Sequence, residues 1–404
     1  MKKKLLNLLL TVMLVLTVPT VFSTDTGTGI GIDITPEEFP VHIWMCDERI
    51  VLEDCVQAGR ISDCDSPLFE RINNYAFEGE QIEWEVLVMD KNKIEEVQEV
   101  VATIGTTQGT GNDIEVECAE DPSFNEGYIA DSCNARILEE DLSGDRVDPL
   151  TQKYYKCIFT VETPESMQGE FFVTVEAISV DSEATIDENE FWFFNPIIAL
   201  TVEGDVEFDN VRPGSVDYSS TILVGNDAEE GSGVLLDMFI SGTDFYDPDS
   251  SGAKCPDSNR LKLSQDLRSQ ASLGADTDSG ETFRTACDIT QNDGSDGWIN
   301  DPSQIGVDNH DHLCYYATSG SYSSAGNPNA DAEGYRPIVY SDQFTRDFYN
   351  DAEIIWNGVI TGGYSAGNLL TPGAEIAINF KLGLPEPCVG NFNEGDIFFW
   401  GEAV

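Results

Sequence analysis

Ile82-Glu-Trp-Glu-Val-Leu-Val-Met89 decides the fold class. Ile82, Trp84, Val86 and Val88 share one face of an extended chain, and Glu83, Glu85, Leu87 and Met89 share the other. That period of two is a strand period, not a helical one. Phe171, Val173, Val175 and Ala177 alternate in the same way with Phe172, Thr174, Glu176 and Ile178. Asp90-Lys-Asn-Lys93 and Gln168-Gly169 are turn signals beside these runs. Arg260 to Ser272 reads as one short helix. Short strands and turns through 404 residues predict an all-β chain of tandem, disulfide-stapled β-sandwich domains with long acidic loops.

The charge restricts partners. The chain carries 74 Asp and Glu against 21 Lys and Arg, a formal net charge of −53. Three of the lysines are Lys2, Lys3 and Lys4. Without residues 1–23 the balance is 18 basic against 74 acidic groups, or −56, far beyond the magnitude of about 2–8 usual for a small domain. Such a surface excludes nucleic acid, whose phosphates require Lys and Arg, and disfavours anionic lipid. It suits high salt and divalent cations.

Residues 1–23 read as a secretion signal: a basic Met1-Lys-Lys-Lys4, an apolar Leu5–Val18 run, Pro19, and Val21-Phe-Ser23 ahead of the cleavage point. No further membrane span is expected after cleavage, so the product is extracellular or held at the cell surface. The ten cysteines agree with an oxidising compartment. Six fall in the first half and four in the second, which predicts bonds within each half. Spacing suggests Cys118–Cys133 and Cys55–Cys64, leaving Cys46–Cys157; in the second half it suggests Cys287–Cys314, leaving Cys255–Cys388. No C-x-x-C pair is present for a structural zinc site, and no Asn-x-Ser/Thr sequon occurs.

The organisation expected is a signal over 1–23, a sandwich over 24–202 with an insertion around 105–150, and a second sandwich over 203–404 with a long loop insertion around 244–335. Ile197 to Val202 is the expected last strand of the first domain. Phe191-Trp-Phe-Phe194 lies at the junction. Trp192 and Phe193, with Trp400 near the C-terminus, make an aromatic set that either packs between the domains or offers a stacking platform for sugars. Ile376-Ala-Ile-Asn-Phe380 and Ile397-Phe-Phe-Trp400 read as strands.

Phe77-Glu-Gly-Glu-Gln-Ile82, Trp84-Glu-Val-Leu-Val-Met-Asp90, Ile94-x-x-Val97 and Gly169-Glu-Phe-Phe-Val-Thr-Val-Glu-Ala177 resemble strands of secreted Ig-like β-sandwich domains of cell-surface proteins. Val206-Glu-Phe-Asp-Asn-Val211, Pro213-Gly214 and Thr221-Ile-Leu-Val-Gly-Asn226 are weakly similar to TasA- and camelysin-like fibre subunits. The resemblance implies a scaffold, and for the second half a self-assembling one; a scaffold by itself assigns no activity.

Asp244, Asp247 and Asp249, then Asp276 and Asp278, then Asp293 and Asp296 supply hard oxygen ligands among Gly and Ser, which suits calcium. The same residues favour turns for backbone reasons. His310-Asp-His312 has a spacing that a metal can use, but reads better as a polar loop beside Cys314. Gly363-Tyr-Ser-Ala-Gly367 matches a nucleophile elbow, yet no His follows His312 to complete a triad. Three function classes stand. The first is a non-catalytic structural or adhesive surface protein, self-assembling or bound to other surface proteins. The second is a module for glycans or calcium. The third is a secreted hydrolase, for which abundant carboxylates leave no distinctive signal.

Overall fold

The computed structural model describes residues 33–46, 49–53, 69–109, 111–122, 127–130, 132–133, 142, 144–186, 191–249, 260–261, 263, 287, 313–326, 330–341, 352–356, 360–361 and 364–404. Strands make up most of their regular structure. Residues 40–404 form one compact unit and residues 1–39 another. Among the described residues no helix is long and apolar enough to cross a membrane.

The first half holds β1 (His42–Met45), β2 (Ile50–Glu53), β3 (Phe69–Ile72), β4 (Tyr75–Ala76), β5 (Glu80–Met89), β6 (Val97–Gly105), β7 (Ile114–Glu120), β8 (Gln152–Thr160), β9 (Gly169–Ser179), β10 (Glu183–Ile186) and β11 (Phe191–Phe194). Their hydrogen-bonded order is β3-β2-β5-β8-β7-β6-β9-β11-β4, with β1 also on β5 and β10 also on β9. Strand β7 turns the corner between two layers. Ile114–Glu117 pair with β6, and Cys118–Glu120 pair with β8. Ile82, Trp84, Val86 and Val88 of β5 then meet Val173, Val175 and Ala177 of β9 in one core. The expected insertion over 105–150 therefore needs correction, because β7 is an integral strand of the sandwich.

The second half holds β12 (Leu200–Glu203), β13 (Ser215–Tyr218), β14 (Ile222–Asn226), β15 (Leu236–Gly242), β16 (Phe245–Tyr246), β17 (Arg260–Leu261), β18 (Leu313–Ser319), β19 (Tyr322–Ser323), β20 (Arg336–Pro337), β21 (Val339–Tyr340), β22 (Ile360–Thr361), β23 (Tyr364–Ser365), β24 (Leu369–Leu370), β25 (Glu375–Leu384) and β26 (Ile397–Ala403). One sheet runs β12-β14-β25-β18-β19, with β13 on β25 and β20 on β18. The other runs β21-β15-β24, with β26 on β15. Ile376, Ile378 and Phe380 of β25 pack on Leu236, Met238 and Ile240 of β15 between them. Strand β12 pairs with β14 and so belongs to this sandwich rather than closing the first. Likewise β18, inside the expected loop 244–335, is paired with β25 along six residue positions. Arg260 and Leu261 are strand, paired with β16, and not the start of a helix; most of the remaining 262–272 lies outside the described residues.

The junction is held by specific contacts. Phe193 packs in the second core while Trp192 and Phe194 pack in the first. Asn195 takes a left-handed backbone, φ 48°, which Asn tolerates better than most residues. Its side-chain amide donates to the carbonyls of Glu162 (2.9 Å) and Met167 (2.6 Å) and accepts from the Glu78 N–H (2.7 Å). Across the two halves, the Tyr75 hydroxyl donates to the Val404 carbonyl.

Two of the expected disulfides are corrected. Cys46 is bonded to Cys133, and Cys118 to Cys157. Both bonds staple residues that already face each other across antiparallel backbone, with Cα atoms 4.0 and 4.2 Å apart. Register, not loop length, decides the partner. Cys118–Cys133 and Cys46–Cys157 are thereby excluded. Cys287 is bonded to Cys314, and Cys388 is in a disulfide. Cys55, Cys64 and Cys255 lie outside the described residues.

Candidate functional site

The second sandwich opens along one side into a groove of about 770 Å³ lined by many apolar side chains and by polar groups in nearly equal exposed measure. Its floor is Phe380, Leu382 and Leu384 of β25. One wall comes from the 202–211 stretch, with Val206, Phe208 and Val211; the other comes from Ile397 and Phe399 of β26. Alternation along β26 explains the wall: Ile397 and Phe399 turn inward, Phe398 turns to solvent, and the Trp400 ring lies on Phe239, 6.2 Å away. The rim is exposed and apolar, with Val389 at 70% and Val202 at 51% accessibility. Among the described residues β26 pairs with β15 alone.

A second constellation is fully buried. Asp237 on β15 accepts from the Asn368 side chain at 2.7 Å, and the same amide donates to the Met238 carbonyl at 2.6 Å. Arg336 Nη1 donates to the Glu353 carbonyl at 2.6 Å, and the Tyr315 hydroxyl donates to the Ile354 carbonyl at 3.1 Å. Glu353 Oε2 is buried with no hydrogen-bond partner among the described residues. Burial pushes the Glu353 carboxyl up to about 7, and the nearby Asp237 charge pushes the same way, against Arg336. Burial likewise raises Asp237 to about 6, against its bond from Asn368. Raised carboxylates occur at catalytic sites, but neither residue lines the groove. Burial thus favours the neutral form of both carboxyls.

The sequence-predicted site residues scatter. Asp244 is buried; its Oδ1 accepts from the Leu263 N–H at 3.1 Å and its Oδ2 lies 3.6 Å from Arg260 Nη1. Asp247 accepts from the N–H groups of Asp249 (3.0 Å) and Asn391 (3.2 Å). These two carboxylates hold loop backbone in place. Asp276, Asp278, Asp293, Asp296, His310 and His312 lie outside the described residues. Among the described residues no group of three or more His, Cys, Asp or Glu side chains is placed to hold a metal. Trp192 and Phe193 are buried and present no ring face to a sugar, which overturns the stacking platform at those positions. Ser365 is in β23, its hydroxyl donating to the Ile355 carbonyl at 2.9 Å, and among the described residues no helix follows that strand as a nucleophile elbow requires.

The groove was missed because its parts are far apart in sequence. The visible signals were the strand patterns at Ile376–Phe380 and Ile397–Trp400 and the apolar Val206, Phe208 and Val211.

No protein-family model and no curated protein matches the chain. Among solved structures, one similar chain is from a chaperone–tip adhesin complex of CFA/I fimbriae biogenesis, at 8% identity and TM-score 0.22, covering 91% of this chain and 92% of that one. Another is a protein from Eubacterium rectale assigned as secreted, at 7% identity and TM-score 0.20, covering 80% of this chain and 66% of that one. Likeness at that level carries no argument about function.

Proposed function

We propose that this chain is an exported, non-catalytic structural or adhesive protein of the cell exterior, and that its second sandwich takes up a strand from a protein partner. The observation that supports the reading is the groove of about 770 Å³, lined by many apolar side chains, beside β26, which among the described residues pairs with β15 alone. An open edge offers main-chain hydrogen bonds, and a groove beside it offers pockets for alternate side chains, which is the physics of strand addition. The secretion signal expected over residues 1–23 and the disulfide-bonded fold support an oxidising exterior. The charge of −53 makes contact between copies depend on salt or divalent cations. Calcium is the cation we propose, with the Asp-rich loops as its place of action.

The test uses residues 24–404 at high salt, with and without millimolar calcium, viewed by negative stain and incubated with polysaccharide and peptide substrates. Filaments, sheets or capture of another surface protein support the reading. Turnover of a substrate, or a protein that stays monomeric and binds nothing, overturns it.

A further inference from the structure

We infer that Lys381 and Asp331 become joined by an isopeptide bond that this chain makes by itself, with Glu333 carrying protons; the inference stands apart from the groove. Lys381 lies on β25 between Phe380 and Leu382, whose side chains pack in the second core, so alternation sends Lys381 to the opposite face. There its Nζ lies 2.9 Å from Asp331 Oδ2 and 2.7 Å from Glu333 Oε2. The Lys381 and Asp331 side chains are buried, 4% and 2% exposed, while that of Glu333 reaches solvent at 55%. Tyr335 covers the ammonium, its ring centroid 5.3 Å from Nζ, and Tyr218 and Tyr316 pack on Tyr335.

An ion pair left in this place is costly, because both charges have lost water. Three features suit bond formation instead. Asp331 Oδ1 accepts from the N–H groups of Glu333 and Tyr335, both at 2.9 Å. Those donors sit where negative charge develops when an amine adds to the carboxyl carbon. Nζ, one hydrogen bond from Oδ2, is held beside that carbon. Glu333 Oε2 touches Nζ and accepts from the Tyr218 hydroxyl at 3.2 Å, so a second carboxylate stands at the reacting nitrogen. The turn that carries both acids is fixed: the Asp331 N–H donates to the Tyr335 carbonyl at 2.9 Å, and the Ser324 hydroxyl donates to the Gly334 carbonyl at 3.0 Å.

Burial disfavours the Lys381 ammonium, but its bonds to Glu333 and Asp331 outweigh that and keep the proton on. Reaction therefore begins with proton transfer. The ammonium gives one proton to Asp331 Oδ2, and the freed Nζ lone pair attacks Cγ while the carbonyl electron pair moves onto Oδ1. Nζ passes a second proton to Glu333, Glu333 gives it to the departing hydroxyl, and the Cγ–Oδ2 bond breaks. One water leaves, an amide remains, and Glu333 is a carboxylate again. A buried charge pair has become a neutral amide, which burial favours. The bond spans β18, since β25 pairs with one edge of that strand and β20, which follows the 331–335 turn, with the other.

The experiment takes residues 24–404 as wild type, Lys381→Met, Asp331→Ala and Glu333→Gln, reduces every disulfide, and reads intact mass under denaturing conditions. Wild type is expected to weigh one water, about 18 Da, less than its sequence. Its tryptic digest is expected to yield a branched peptide that holds both Lys381 and Asp331, with no cleavage after Lys381. Lys381→Met and Asp331→Ala are expected at full mass. Glu333→Gln, folded as wild type by circular dichroism, is expected to keep full mass through purification, since loss of a proton carrier slows such a step roughly 100-fold or more. Wild type at full mass, with cleavage after Lys381, overturns the inference and leaves an ion pair only. Loss of water that persists in Lys381→Met or Asp331→Ala, or a branch at Glu333 in place of Asp331, overturns the pairing. A Glu333→Gln protein short by one water at purification overturns Glu333 as the proton carrier. The wild-type mass decides the bond by itself, so a variant that fails to fold leaves the test standing.

Discussion

Trp192 and Phe193 are neighbours in the chain, yet they belong to different hydrophobic cores. Trp192 packs with Val173 and Val175 of the first sandwich, and Phe193 packs with Tyr75 and the β15 and β25 residues of the second. Strand alternation makes this possible, since successive side chains leave a strand on opposite faces. The two sandwiches therefore share a wall. Chemical unfolding of residues 24–404 should show one transition by fluorescence and circular dichroism together. Phe193→Ala should cost about 3–5 kcal/mol through lost burial and the cavity left behind. The double variant Tyr75→Ala/Phe193→Ala should separate the unfolding into two steps. Two steps in the wild type would show that the shared wall does not couple the halves.

Asn195, where the chain leaves the first sandwich, tests how that exit is held. Its side chain makes three hydrogen bonds to Glu78, Glu162 and Met167 from a left-handed backbone. Asn195→Ala loses those bonds and keeps the unfavourable backbone, whereas Asn195→Gly loses the bonds and relieves the backbone. Ala should therefore be the more destabilising, by roughly 1 kcal/mol. Equal losses in thermal melts would mean that the conformation at 195 carries no strain.

How much was legible follows the same division between local and non-local. Period-two runs at Ile82–Met89 and Phe171–Ile178 announce β5 and β9, because alternation is a property of consecutive residues. Ile197 to Val202 announces a strand, but nothing local says that Leu200–Glu203 pairs with β14. Cys118 lies fifteen positions from Cys133 in sequence, and its real partner is set by the β7–β8 register. The groove was hidden for the same reason: its walls come from the 202–211 stretch, β25 and β26.

The disulfides can be read chemically. Mass spectrometry of unreduced peptides should recover Cys46–Cys133, Cys118–Cys157 and Cys287–Cys314. Replacing Cys118 and Cys157 together by Val should lower stability by about 2–5 kcal/mol. A peptide joining Cys118 to Cys133 would disprove the β7–β8 register.

Stability should fall as pH rises through the range where the buried acids ionise. Glu353 is raised to about 7 and Asp237 to about 6, both chiefly by burial. A carboxyl whose folded value exceeds its unfolded value binds more protons when folded. Its contribution is complete below the unfolded value, near pH 4, and is lost as pH climbs through the folded value. Residues 24–404 should therefore melt higher at pH 5 than at pH 8. Glu353→Gln should flatten the dependence by on the order of 2 kcal/mol. A wild-type melting temperature that rises from pH 5 to pH 8, or a Gln variant with the wild-type slope, would show that these carboxyls are not held protonated by the fold.

Cations should act on the same balance from outside. With 74 acidic and 21 basic side chains, the folded surface repels itself, and compact states suffer more from that repulsion than expanded ones. Sodium chloride should raise the melting temperature by screening, with most of the effect below about 0.5 M, where the Debye length falls to a few ångströms. Calcium at a few millimolar should add to this at matched ionic strength if carboxylates bind it at defined sites. Asp244 and Asp247 already hold backbone N–H groups, so their substitution should lower stability with or without the ion. The calcium increment should instead disappear on replacing Asp276, Asp278, Asp293 and Asp296 with Asn. No increment over sodium would mean that these acids act only as solvated turn residues. An increment that survives the Asn replacements would place the calcium elsewhere on the acidic surface.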